Sequence, residues 1–122
     1  MSVWRFEDLL VWQKSKELAL RIHVAADEGR FARNAGLRNQ IQRSSTSVMS
    51  NIAEGFERES RAEFARFLLI AKGSCGEVRS QLHLAKDLRY LDEVLATELI
   101  GLSAEVTRMI IALRRKLKND EA

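Results

Sequence analysis

The residues able to carry chemistry in this chain are few and scattered. The histidines are His23 and His83. A metal site in a helical core takes Glu-x-x-His pairs from facing helices. Here Leu20 and Ser80 stand three residues before the histidines, so neither pair exists. Both histidines are expected at the surface, and no metal ligand set is predicted. Cys75 is the single cysteine. It excludes an intrachain disulfide and fits a reducing compartment. No neighbouring motif would turn its thiol into a nucleophile, and a small buried hydrophobic role is expected. Residues 44–50, SSTSVMS, offer hydroxyls but no adjacent histidine or lysine to act as base. GSCG at 73–76 lacks the spacing and the lysine of a phosphate-binding loop. Its glycines are expected to let helices approach closely. No catalytic residue and no cofactor are predicted.

Charge offers more. The net charge is +3, too small by itself to announce nucleic-acid binding, but arginine outnumbers lysine by 14 to 6. Arginine makes directed, forked contacts with phosphates and carboxylates. Residues 29–53 carry Arg30, Arg33, Arg38 and Arg43 and no acid. Residues 106–118 carry Arg108, Arg114, Arg115, Lys116 and Lys118, again without an acid. Arg30, Arg33 and Arg38 in the first segment, with Arg114, Arg115, Lys116 and Lys118 in the second, are the candidate contacts to RNA or DNA. No base-reading motif or aromatic stacking cluster accompanies them, so any binding is expected to be mainly electrostatic.

The elements that position these groups are predicted to be helices. The 122 residues contain no proline and only 6 glycines, and β-branched runs are absent. A chain of this length forms one domain, residues 1–122, with a single core. Apolar periodicity marks helices over about 8–28, 36–54, 61–89 and 93–118. In the first, Val11, Ser15, Leu18, Ile22 and Ala25 face one side, with Asp8 as N-cap and Gly29 as stop. In the second, the stripe is Leu37, Ile41, Ser44, Val48 and Ile52. In the third it is Phe64, Phe67, Ala71, Ser74, Val78, Ala85 and Leu88, with Cys75 beside it. The fourth repeats Leu95, Leu99, Leu102, Val106, Met109 and Leu113 at spacings of 4 and 3. Joints this short make sequential helices antiparallel neighbours, so the predicted fold is all-α, an up-down-up-down four-helix bundle.

A polar stripe runs beside the second apolar stripe: Gln40, Arg43, Ser47, Asn51 and Glu54. The third helix carries Glu63, Arg66, Gly73, Ser74 and Glu77. A hairpin turning near residues 57–58 would pair Arg43 with Glu77 and Arg66 with Glu54, and bring Gln40 near Glu77. The same count around the first joint places Gln13 near Asn51. The stripe can be solvated charge, a partly buried network that fixes helix register or subunit contacts, or a catalytic site. The candidate network is Gln13, Gln40, Arg43, Asn51, Glu54, Arg66, Ser74 and Glu77. Gly55 can end the second helix in the left-handed conformation, with Phe56 covering the last turn. Ser60 and Glu63 have capping-box spacing for the third.

FEDLLVWQ (6–13), GLRNQIQR (36–43), SNIAEGF (50–56), EFARFL (63–68) and IAKGSCGE (70–77) together resemble the bacterial four-helix bundle family named for proteins encoded in 23S rRNA intervening sequences. Retroelement accessory variability determinant proteins are similar. The resemblance spans nearly the whole chain, with Met49 where such sequences usually have proline. It implies a small cytoplasmic bundle that assembles into a ring, typically a homopentamer, with no known catalytic activity. It also implies nucleic-acid binding in the retroelement relatives. Asn51, Glu54, Gly55, Ser74 and Glu77 fall on its motif positions, and no chemistry is carried over to them.

Three classes of function follow. The first is an oligomeric nucleic-acid-associated module. The second is a structural or adaptor ring binding another protein through apolar residues off the main stripes: Leu69, Leu84, Leu91, Ile100 and Ile111. Trp4 could serve a partner in the same way or pack over the bundle end. The third, an enzyme, lacks a constellation. No run of apolar residues is long enough for a membrane span, and the charged N-terminus does not read as a signal peptide, so a cytoplasmic protein without membrane contact is expected. In the predicted topology the two basic segments lie at opposite poles. The helix macrodipole is a sufficient reason for the C-terminal cluster, which leaves the first joint as the preferred nucleic-acid surface.

Overall fold

The structure is a computed structural model that describes residues 3–120. A 3-10 turn, Phe6–Asp8, precedes five helices: α1 Leu10–Ala26, α2 Gly29–Arg33, α3 Ala35–Glu57, α4 Arg61–Asp87 and α5 Glu93–Asp120. The four long helices form the predicted bundle. α1 packs on α3, α3 on α4, α4 on α5, and α5 closes the ring against α1. Leu18, Ile22, Ile41, Val48, Ile52, Leu68, Val78, Leu82, Leu99, Val106 and Ile110 fill the centre.

The helix ends follow local chemistry, though not always the chemistry expected. Asp8 does not cap α1; it lies in the 3-10 turn, 3.6 Å from Arg5, and Leu9 occupies the cap without a side-chain bond. Gly29 takes φ +57° and turns the chain into the short α2. The Asn34 side chain caps α3 by accepting from the Leu37 amide at 3.1 Å. Ser60 accepts from the Glu63 amide at 3.1 Å, the predicted cap of α4. Asp92 caps α5 by accepting from Leu95 at 2.8 Å.

α4 ends in a Schellman arrangement. The Tyr90 amide donates to Ala85, the Arg89 amide donates to Lys86, and Arg89 itself is left-handed at φ +60°. Glycine is the usual residue at that position.

Gly55 corrects the expectation drawn from SNIAEGF. It lies within α3, not at its end. A Cβ there would stand 2.6 Å from the Phe67 Cβ and 3.1 Å from the Phe64 ring. The residue is glycine because α4 crosses at that point. α3 therefore runs on to Glu57, past the expected end, and the hairpin turns later. Phe56 packs edge-on against Phe64, with ring centroids 5.8 Å apart. Met49 is half-buried in unbroken helix.

The poor helix formers of α3 are reconciled by bonding back into the helix. Ser45 and Thr46 donate to the Gln42 carbonyl at 3.0 and 2.9 Å. Near the end of α5 the burial drifts off the expected heptad: Met109 and Leu113 are half-buried, while Ile110 and Leu117 are buried. A straight helix at 3.6 residues per turn rotates about 20° per heptad relative to a 3.5 repeat, and α5 is long enough for that to matter.

Candidate nucleic-acid interface

The two basic segments do occupy opposite ends of the bundle. At one end α2 meets the α4–α5 joint. Phe31 packs against Tyr90 with centroids 5.4 Å apart, and Asn34 donates to the Tyr90 hydroxyl at 3.2 Å. Arg30 lies 5.5 Å from the Tyr90 ring centroid, a cation–π contact. Arg30 and Arg33 are exposed and line, with Asn34 and Tyr90, a shallow hollow of about 450 Å³. Arg38 is different. It is half-buried, donates to the Ala32 carbonyl at 2.9 Å, and so satisfies the end of α2. Carboxylates are close by: Asp87, Asp92 and Glu93 line the adjoining hollow with Lys86 and Arg89, and Lys86 pairs with Glu93 at 3.8 Å. The first joint is therefore a surface of mixed charge.

The other end is more uniform. Arg114 donates to the Ala65 carbonyl at 3.2 Å, which ties the end of α5 to the first turns of α4. Arg114, Arg115 and Lys118 line a cleft of about 470 Å³ between the two helices, together with Lys72, Ile110, Ile111 and Asn119. Lys116 is exposed and outside it. Among the described residues no carboxylate lines this cleft.

Lys72 was not singled out by the sequence because it stands alone among neutral residues. The signal was available. Counting the α4–α5 hairpin around residues 88–92 sets Lys72 level with about residue 108, within one turn of Ile110 and Ile111. The contacts Cys75 to the Ser103 carbonyl (3.2 Å) and Arg79 to Thr107 (3.1 Å) join the same two helices farther along.

The polar seam between α3 and α4 assembles in part from the expected residues, Asn51, Ser74 and Glu77, joined by Ser44 and Ser47 rather than by the arginines. Ser47 and Ser74 share a hydrogen bond of 3.0 Å, Asn51 donates to the Ser47 hydroxyl and carbonyl at 3.0 and 2.8 Å, and Ser44 donates to Glu77 at 3.2 Å. Arg43 is exposed and forms no ion pair with Glu77 among the described residues. Because the hairpin turns later than expected, Ser44 rather than Arg43 meets Glu77.

Glu54 pairs with Arg58 at 2.9 Å, and Arg66 pairs with Glu63 at 2.8 Å, in place of the expected Arg66–Glu54 pair. The Arg66 hydrogen bond holds the Glu63 carboxyl below its ordinary pKa, and Glu63 raises that of Arg66 in turn. Gln13 donates to the Glu7 carbonyl at 2.9 Å instead of meeting Asn51, and Gln40 is exposed. The seam is thus hydroxyls, an amide and the Glu77 carboxylate, with the arginines outside it.

His83 is exposed as expected, but His23 is half-buried between α1 and α3, with Nε2 3.0 Å from the Thr46 hydroxyl and 3.2 Å from the Gln42 carbonyl. Cys75 is fully buried, and that burial pushes its thiol up. Gly73 and Gly76 do not serve close packing within the chain, since a Cβ at either would meet open space. Of the apolar residues off the stripes, Leu69 and Leu84 are exposed, Ile100 and Ile111 half-buried, and Leu91 is part of the core. Trp4 is 91% exposed and does not cover the bundle end. Among the described residues no group of His, Cys, Asp and Glu could hold a metal ion, and no helix is long and apolar enough to cross a membrane.

The sequence profile described as "23S rRNA-intervening sequence protein" matches residues 7–112. A crystal structure of a protein of unknown function from Bacteroides thetaiotaomicron, described as from the S23 ribosomal protein family, is similar with a TM-score of 0.80 and 28% identity. The similarity covers 87% of this chain and 96% of that one. No curated protein matches the chain.

Proposed function

The chain belongs to the 23S rRNA-intervening sequence protein family, and from that premise we propose that it is a non-catalytic, homo-oligomeric bundle that binds nucleic acid electrostatically. The observation that carries this reading is basic charge without acid partners among the described residues, above all in the cleft where exposed Arg115 and Lys118 stand beside half-buried Arg114. A ring, typically a pentamer in the family this chain resembles, would repeat each patch. Individually weak phosphate contacts then add through effective concentration. Self-association is supported by apolar side chains left outside the core on α4, Leu69, Ile70 and Leu84, beside the open glycines Gly73 and Gly76. The test is binding of a fluorescent single-stranded oligonucleotide at low salt, together with the ultraviolet absorbance ratio of the freshly purified protein. Bound RNA or salt-sensitive titration supports the reading, and neither would remove it.

A second reading, a scaffold for another protein, is favoured by a different surface. Leu20, Val24, Ala25 and Leu95 line a largely apolar groove between α1 and α5, flanked by the Arg21–Glu98 ion pair at 2.6 Å. Under that reading oligonucleotide does not bind at any salt concentration, and substitutions in the groove alter partner capture.

A further inference from the structure

The macrodipole accounts for less of the C-terminal cluster than its position in the sequence suggests. The field of a helix terminus falls off within the last turn. α5 ends at Asp120, and the basic residue of its last turn is Lys118. Arg114 and Arg115 lie farther back. Lys72 is not near a helix end at all; it stands in the middle of α4, which spans Arg61–Asp87. Yet Lys72, Arg114, Arg115 and Lys118 line one cleft.

On α5 the residues are placed by helical spacing. Positions 110, 114 and 118 form one row and 111, 115 and 119 the next, so both rows share a face. Arg114 and Lys118 are then like charges four apart, and Arg115 and Lys118 three apart, arrangements that destabilise a helix. Among the described residues none of Lys72, Arg115 and Lys118 is within ion-pair distance of a carboxylate. Repulsion without counter-charge is relieved by an anion.

We infer that the α4–α5 cleft is the principal phosphate-binding site of the molecule, taking successive phosphate groups of a nucleic-acid strand, with Lys72 supplying the contact from α4. The inference deepens the nucleic-acid reading and rests on it for the identity of the ligand, but the phosphate chemistry of the cleft can be tested separately. Buried Ile110 and half-buried Ile111 supply the apolar part of the cleft's lining. Lys72 and Lys118 are exposed, as point-charge contacts to a mobile phosphate must be. The arrangement reverses the preference for the first joint: Arg38 and Arg114 are each tied to a backbone carbonyl, but carboxylates stand beside the cations of the first joint and, among the described residues, none lines the cleft.

The experiment compares full-length wild type, Lys72→Ala, Lys116→Ala and the double variant Arg30→Ala/Arg33→Ala. Two probes are used at low ionic strength, a single-stranded oligonucleotide and inorganic tripolyphosphate. Lys116 is the control: same charge, same helix end as Arg115, outside the cleft. Lys72→Ala should weaken oligonucleotide binding about 3- to 10-fold and reduce the salt slope by about one, with Lys116→Ala changing affinity less than about 2-fold. Arg30→Ala/Arg33→Ala should lie between them.

Equal effects of Lys72→Ala and Lys116→Ala would overturn the cleft while leaving nucleic-acid binding intact. So would a loss confined to Arg30→Ala/Arg33→Ala. Tripolyphosphate binding that depends on Lys72, without oligonucleotide binding, would support the cleft as a site for small phosphates and reject the nucleic-acid function. Failure of wild type to bind either probe would overturn the site.

Discussion

At Gly55 the backbone of α3 passes so close to α4 that a methyl group would meet Phe67 at 2.6 Å. Gly55→Ala should therefore destabilise by about 1–3 kcal/mol through overpacking, even though alanine is the better helix former by up to about 1 kcal/mol. Gly101 is the counter-case. It is helical and exposed, with nothing near its missing Cβ, so Gly101→Ala should stabilise by about 0.5–1 kcal/mol. Urea denaturation of both variants checks the pair; the same sign at both positions would contradict it. Arg89 carries strain of another kind. Its left-handed backbone suits glycine, so Arg89→Gly should raise stability by about 0.5–1 kcal/mol, read as a higher thermal midpoint. None of these environments was legible in the sequence. A glycine in a helix end and a glycine under a crossing helix look alike until the crossing is known, and no rule places an arginine at φ +60°.

At the scale of elements the stripes were legible because burial repeats with the helix. Leu37, Ile41, Ser44, Val48 and Ile52 face the core as predicted. The pairing register across α3 and α4 was not, because it depends on where the hairpin turns, and a small error in that turn exchanges Arg43 for Ser44 opposite Glu77. The start of α4 was better determined, since its cap is local. Ser60→Ala should cost about 1 kcal/mol by freeing the Glu63 amide. The Glu63 side chain adds a pH-dependent part. Its pKa is lowered in the folded state by the Arg66 hydrogen bond, so its contribution is present above the unfolded carboxylate pKa and is lost as pH falls through the folded one. The difference in stability between wild type and Glu63→Gln should accordingly be present at neutral pH and fade in acid. Denaturation at several pH values measures it, and a difference that grows on acidification would contradict the pairing.

For the whole molecule, the up-down-up-down order was legible from four periodic segments and short joints, and it sends the two basic segments to opposite ends. Lys72 escaped notice because the cleft is made by two helices meeting, and charge clustered in space need not be clustered in sequence. Opposite poles cannot merge within one protomer, so the number of phosphate contacts depends on how many protomers assemble. Light scattering after size exclusion should give a mass near five times 13.9 kDa, and a monomer at micromolar concentration would contradict the ring.

The most direct measurement is the affinity of the assembled protein for a single-stranded oligonucleotide as a function of salt. Electrostatic binding through exposed arginines and lysines predicts that the logarithm of the association constant falls linearly and steeply with the logarithm of salt concentration, nearly alike for oligonucleotides of unrelated sequence. Absence of binding at low salt, or binding that does not respond to salt, would contradict it.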